Sequence, residues 1–232
     1  MHVHAFSPLE IWHGAHSLDT SIERFIAMLK ENGLGSLPGT AAEILDDHVR
    51  EVLCPDKLLT QQWLDVMNSA HRIGVKSTST IMFGHVSRDS PRMWANHLNR
   101  LRDQQEASNG FTEFVPLPYV HTMAPAFLMG ISKRGPTLHE CFLMHSVARL
   151  ALQQTVPNVQ ASWVKMGPER SGELLSVGAN DLGGTIQKES ITSAAGASHG
   201  QELPLEEMKR LAERVGRRPV LRNTTYERRK YL

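Results

Sequence analysis

Residues Gly178 to Gly200 read GANDLGGTIQKESITSAAGASHG, and the fold turns on what this stretch is. It opens with Ala179-Asn180-Asp181-Leu182, a short strand-like piece ending in polar residues. Gly183-Gly184-Thr185 follows, a turn that lets backbone N–H groups approach a bound group. Small residues and turn formers at a strand end, with Asp181, Glu189 and His199 close by, suit the mouth of a barrel better than its wall. Taken alone, the stretch reads equally as a surface loop before a last helix.

Working outward, strand patterns alternate with helix patterns. Val159–Lys165 lies just upstream as a strand, and Pro168–Val177 as a helix. Earlier come Lys76–Gly84 and Phe111–Pro116 as strands, with helices beginning at Thr60, Pro91 and Thr137. At the start, Met1–Ser7 alternates, with His2, His4 and Phe6 on one face, and Pro8 is expected to end that strand. Ser17–Asn32 carries an apolar stripe of Ile22, Phe25, Ile26 and Leu29 and reads as one helix. Leu205–Val215 reads as a terminal helix, and Pro219–Asn223 as a short extended segment. Alternating units of this kind point to parallel βα repeats, about six strands against the eight that close a TIM barrel. The expectation is therefore α/β, a partial TIM-like (β/α) barrel.

Strand periodicity then assigns an interior. If Ile81 and Phe83 face helices, Thr78 and Thr80 face inward; the same rule turns Glu113, Gln160, Ser162, His2 and His4 inward. A packed barrel would fill that space with branched aliphatics. Buried polar groups without partners cost about 1–3 kcal/mol each, so such a lumen is expected to hold a polar substrate. His4, His85, Glu113 and Asp181 are the candidate catalytic residues, for substrate contact or proton handling. Glu43, expected in the first turn of a helix after a strand end, is either a simple N-terminal charge or a functional carboxylate.

Composition sets the limits. The chain has 232 residues and a formal net charge of +1, which gives no overall field toward nucleic acid or an anionic membrane. The basic end, Arg214 to Lys230, reads as a solvated terminus or a nucleic-acid patch, and the first is expected. No apolar run approaches the ~20 residues that span a bilayer, and no secretory leader is visible, so a cytoplasmic protein is expected. Cys54 and Cys141 make neither a disulfide framework nor a metal motif. Twelve histidines are many for this length. With Asp181 they leave a second reading open, a metallohydrolase barrel using His2, His4, His85 and His121.

HVHAFSP, SLPGTAAEILDD, TSTIMFGHV, GFTEFVPLPYVH, NVQASWVKMGPE and GANDLGGT resemble, in order, the later part of the FO synthase family. The likeness is to its tyrosine-using half, which transfers a hydroxybenzyl group from tyrosine to 5-amino-6-ribitylamino-uracil. The resemblance implies a radical S-adenosylmethionine (SAM) enzyme with a [4Fe–4S] cluster. It also implies tyrosine and the ribityl-aminouracil as substrates, the other FO synthase half as a possible partner, and neither nucleic acid nor membrane. By position it suggests Glu43 for contact with the SAM cofactor. The family's CxxxCxxC loop has no counterpart among these residues, so cluster ligands are absent and no metal ligand is assigned. The corresponding expectation is a barrel lacking its first two βα units, N-terminally truncated and inactive alone. Residues 1–222 would then be the barrel portion and 223–232 a basic tail. A ligand-binding barrel fragment without catalysis is the alternative.

Overall fold

A computed structural model describes residues 1–86, 89–186, 190–197, 199, 202–227 and 229–232. Glu189, placed near the barrel mouth above, lies outside the described residues. The order is β1 (Val3–His4), α1 (Pro8–Ser17), α2 (Ile22–Glu31), β2 (Leu34–Leu37), α3 (Asp47–Leu53), α4 (Thr60–Arg72) and β3 (Lys76–Phe83). There follow α5 (Pro91–Ser108), β4 (Phe111–Pro118), α6 (Pro125–Leu128), α7 (Leu138–Leu152), α8 (Trp163–Met166) and α9 (Pro168–Leu174). The chain ends with α10 (Ile191–Ala194), α11 (Leu205–Arg214), β5 (Val220–Arg222) and β6 (Arg229–Tyr231).

β1 to β4 form one parallel sheet in sequential order. Two isolated parallel bridges extend it, Phe114 to Val159 and Gln160 to Asp181. The array thus has six positions, the last two only a residue or two deep. Helices cover one face, where Trp63, Ile81, Phe83, Phe114 and Leu98 pack in the main apolar core. Just past β2, Gly39 lies against β3: its amide donates to Thr78 Oγ1 at 2.8 Å and its carbonyl accepts from Thr80 Oγ1. A Cβ at Gly39 would collide with the Thr78 backbone carbonyl, which is why that position is glycine.

Several boundaries differ from the sequence reading. Residues 8–31 form two helices, not one from Ser17 to Asn32. Pro8 opens α1 at its first turn behind a Ser7–Glu10 capping box, and Ser21 caps α2 through the Arg24 amide. Between them Asp19 takes a left-handed backbone, φ 47°, which breaks helical continuity. The strand expected over Val159–Lys165 pairs only at its start. Lys165 and Met166 donate to the Ser162 carbonyl, so the chain coils into α8 instead. Glu43 sits in a loop with φ 43°, not in a helix; α3 begins at Asp47, capped by Asp46. The buried Arg50 guanidinium binds the carbonyls of Ala41, Ala42, Ile44 and Leu58 and so holds that loop in its left-handed turns.

Candidate functional site

The sheet register carries the polar residues into one layer. His4 pairs with Ser36, Ser36 with Lys76, Ser77 with Phe111, Phe114 with Val159 and Gln160 with Asp181. Glu113, the third residue of β4, lies in this layer and is 5% exposed. Gln160 Nε2 donates to Glu113 Oε2 at 2.9 Å. On the β1 side, His2 Nε2 and His4 Nδ1 both lie 2.7 Å from Ser36 Oγ.

The layer is completed from the far end of the chain. β5 and β6 make an antiparallel hairpin that brings Arg222 and Tyr226 against the carboxylates. Arg222 donates to Asp181 through Nε at 2.7 Å and Nη2 at 3.0 Å, and its Nη2 lies 3.5 Å from Glu113 Oε2. The Tyr226 hydroxyl is 2.8 Å from Glu113 Oε2 and 2.8 Å from Asp181 Oδ2. The Arg222 guanidinium covers the Tyr226 ring at 4.3 Å, a cation–π contact. Asp181 Oδ1 also accepts the Gly183 amide at 2.6 Å, so the Gly183-Gly184 turn serves to bring an N–H onto this carboxylate.

Electrostatics follow from this packing. Burial pushes the Glu113 carboxyl above its usual range; Arg222 opposes that and the Asp181 charge adds to it. Burial would lower the Arg222 guanidinium, but hydrogen bonding and charge pairing with Asp181 outweigh it and raise it further. Burial and the two carboxylates together raise the Tyr226 phenol. Partial desolvation, His2 and Arg222 hold His4 below the ordinary histidine value. A cavity of about 1160 Å³ opens along residues 178–185, with His2, Asn158, Asp181, Arg222 and Tyr226 on its wall.

The candidate residues therefore divide. Glu113 and Asp181 share one network. His4 is tied to it through the field of Arg222, although its side chain is exposed, not enclosed. Its exposure follows from β1, which pairs on one side only among the described residues. His85 lies two residues past the end of β3, roughly 20 Å along the strand from the Glu113 layer. It is fully buried, with Nδ1 3.0 Å from Asp89 Oδ2. Asp89 also accepts the backbone amides of Gly84 and His85 and the indole N–H of Trp94. Glu43 is spoken for by Lys57, whose Nζ lies 2.8 Å from Oε1.

Arg222 and Tyr226 were invisible to strand periodicity because both sit in a segment that reads as a basic terminus. The one available signal was the extended pattern Pro219–Asn223, which implies a partner strand and hence a fold-back. The metallohydrolase reading finds no convergence: among the described residues no group of three or more His, Cys, Asp or Glu comes together. His121 Nδ1 accepts the Gly135 amide at 3.0 Å, well away from the Ser36 pair.

Comparison with known proteins now bears on this geometry. The family profile for the CofH/MqnC C-terminal region matches residues 108–232, more than half of the chain, and contains Glu113, Gln160, Asp181, Arg222 and Tyr226. The chain belongs to the CofH/MqnC family. An FO synthase of Mycobacterium tuberculosis (strain CDC 1551 / Oshkosh) is 48% identical over 226 residues, 97% of this chain and 26% of that protein. The 5-amino-6-(D-ribitylamino)uracil–L-tyrosine 4-hydroxyphenyl transferase of Methanothermobacter thermautotrophicus is 45% identical over 226 residues, 61% of its length. That of Methanocaldococcus jannaschii is 44% identical over 227 residues, 63% of its length. This CofH/MqnC-type chain thus spans a quarter of the FO synthase and under two thirds of the transferases.

The resemblance implies SAM and a [4Fe–4S] cluster, and the thiols of this chain do not fit the latter. Cys54 and Cys141 are both buried, and Cys141 lies within α7. Burial raises both, Cys141 to about 12, which disfavours the thiolate that iron requires. Among the described residues, no helix is long and apolar enough to cross a membrane.

Proposed function

We propose that this chain supplies the substrate-binding lumen of an FO-synthase-type transferase, joining the hydroxybenzyl group of tyrosine to 5-amino-6-ribitylamino-uracil. In this reading the six-position parallel array is an arc of a radical-SAM-type (β/α) barrel, with residues 1–222 as the barrel portion and 223–232 as a basic closing tail. The observation that carries it is one hydrogen-bonded network of Glu113, Gln160, Asp181, Arg222 and Tyr226, of which Asp181, Arg222 and Tyr226 reach the wall of the cavity. Donors and acceptors in alternation suit a ribityl chain, whose hydroxyls both give and take hydrogen bonds. The names of the relatives supply the substrates, and their greater length makes the other FO synthase half a partner in this proposal. Glu43 is proposed as a cofactor contact only in exchange for Lys57. Neither cysteine fits a cluster ligand, so the role assigned here is binding and orientation by lumen residues.

Titration calorimetry of the full chain with the ribityl-aminouracil tests this. Saturable binding that is weakened at least tenfold by Asp181→Ala is the expected result. No heat with either the ribityl-aminouracil or tyrosine, from a chain that melts cooperatively, would overturn it.

A further inference from the structure

The contacts of Tyr226 impose a constraint on proton placement. Its hydroxyl lies 2.8 Å from an oxygen on each of two different carboxyl groups, yet a hydroxyl carries one hydrogen. Two such short contacts are both hydrogen bonds only if one carboxyl brings a hydrogen of its own. Asp181 is already committed as an acceptor on both oxygens, to Arg222 Nε and Nη2 and to the Gly183 amide. Glu113 is engaged through Oε2 alone in these contacts, accepting from Gln160 at 2.9 Å with Arg222 Nη2 at 3.5 Å, and a hydroxyl there can accept from Gln160 while giving its own hydrogen to Tyr226.

We propose that Glu113 is held as a neutral carboxylic acid that donates to Tyr226, which in turn donates to Asp181, so that the C-terminal hairpin builds a proton-holding site into the lumen. The groups facing Glu113 are Gln160 and Asp181 from the last two positions of the array, and Arg222 and Tyr226 from the hairpin. With Glu113 neutral, the single charge of Asp181 is matched by Arg222, and the site carries no net charge. With Glu113 ionised, one buried negative charge would be left without a full partner, a costly state at 5% exposure. The direction in which burial and Asp181 move Glu113 agrees with this placement. Tyr226 is therefore a positioning residue acting through Glu113, and the hairpin is part of the site.

The test needs no ligand, so its outcome is separable from the calorimetry above. Infrared spectra of the full chain at pH 7 are expected to show a protonated-carboxyl C=O stretch that Glu113→Gln removes. Carbon-13 NMR of side-chain-labelled glutamate, without any substitution, should show one glutamate titrating above all the others. Tyr226→Phe should lower that midpoint by about one pH unit, because the acid loses its acceptor. Asp181→Asn should lower it as well, because the neighbouring negative charge is gone. A Glu113 that is already ionised at pH 7 overturns the proposal. So does a midpoint that rises or stays put in Tyr226→Phe, which would mean that the phenol donates to an ionised Glu113.

Discussion

The two faces of the same sheet solve the problem of buried polarity in opposite ways. Behind the sheet, among the helices, His71, His97 and His145 are buried as neutral rings with local partners. His71 is bracketed by Ser108 at 2.6 Å and Ser77 at 2.8 Å; His97 Nδ1 accepts the Leu45 amide at 2.9 Å; His145 Nδ1 donates to the Cys141 carbonyl at 2.8 Å. On the opposite face, Glu113, Asp181, Arg222 and Tyr226 keep charge or a proton and are gathered from segments up to 113 residues apart. A high histidine count therefore said less about chemistry than about the helix layer. The face that differs in kind is the one that opens on a cavity.

Acidification should break the helix side first and most. Burial lowers His71 and His145 to about 4 and His97 to about 3, from an ordinary value of 6.5. The unfolded chain binds these protons before the folded one does, so stability is full above about pH 6.5 and falls as pH drops toward 4. Each ring is expected to cost on the order of 3 kcal/mol at the acid end, and denaturant melts across that range should show the loss. Melts that are flat between pH 7 and 4.5 would contradict the neutral-ring account.

Two substitutions then separate the faces. Gly110→Ala puts a Cβ into the His71 ring, which the two serines and Phe111 hold in place. About 3 kcal/mol of destabilisation is expected from overpacking, read as a lower denaturant midpoint. Arg222→Ala leaves the Asp181 carboxylate beside Glu113 without its countercharge. Because Arg222 is 20% exposed, the stability loss should be nearer 2 kcal/mol, accompanied by loss of ribityl-aminouracil binding. If Gly110→Ala impairs binding as much as Arg222→Ala at equal stability, the two faces are not functionally distinct. The smallest effect belongs to the rim: Glu43→Gln weakens an ion pair whose lysine is 31% exposed. It should cost under about 1 kcal/mol in thermal melts.

Some of this was legible in the residues themselves. Alternation in Lys76–Phe83 and Phe111–Pro118 assigned Thr78, Thr80 and Glu113 to one face because side chains on a strand alternate whatever surrounds them. The break between α1 and α2 was less legible, since the stripe of Ile22, Phe25, Ile26 and Leu29 marks only α2, and caps with a left-handed Asp19 set its true start. His85 read as a reactive strand-tip group, but an aspartate four residues on and the Trp94 indole absorb it into a buried turn.

Period and punctuation along the chain determined by themselves that this is a parallel α/β chain with Thr78, Thr80 and Glu113 on one face of its strands, because both are local properties of backbone geometry. Only the tertiary structure decided which of those side chains meet. Arg222 and Tyr226 reach Glu113 and Asp181 by a hairpin that folds back over the sheet, and the pairing of charges so far apart in sequence leaves no periodic trace.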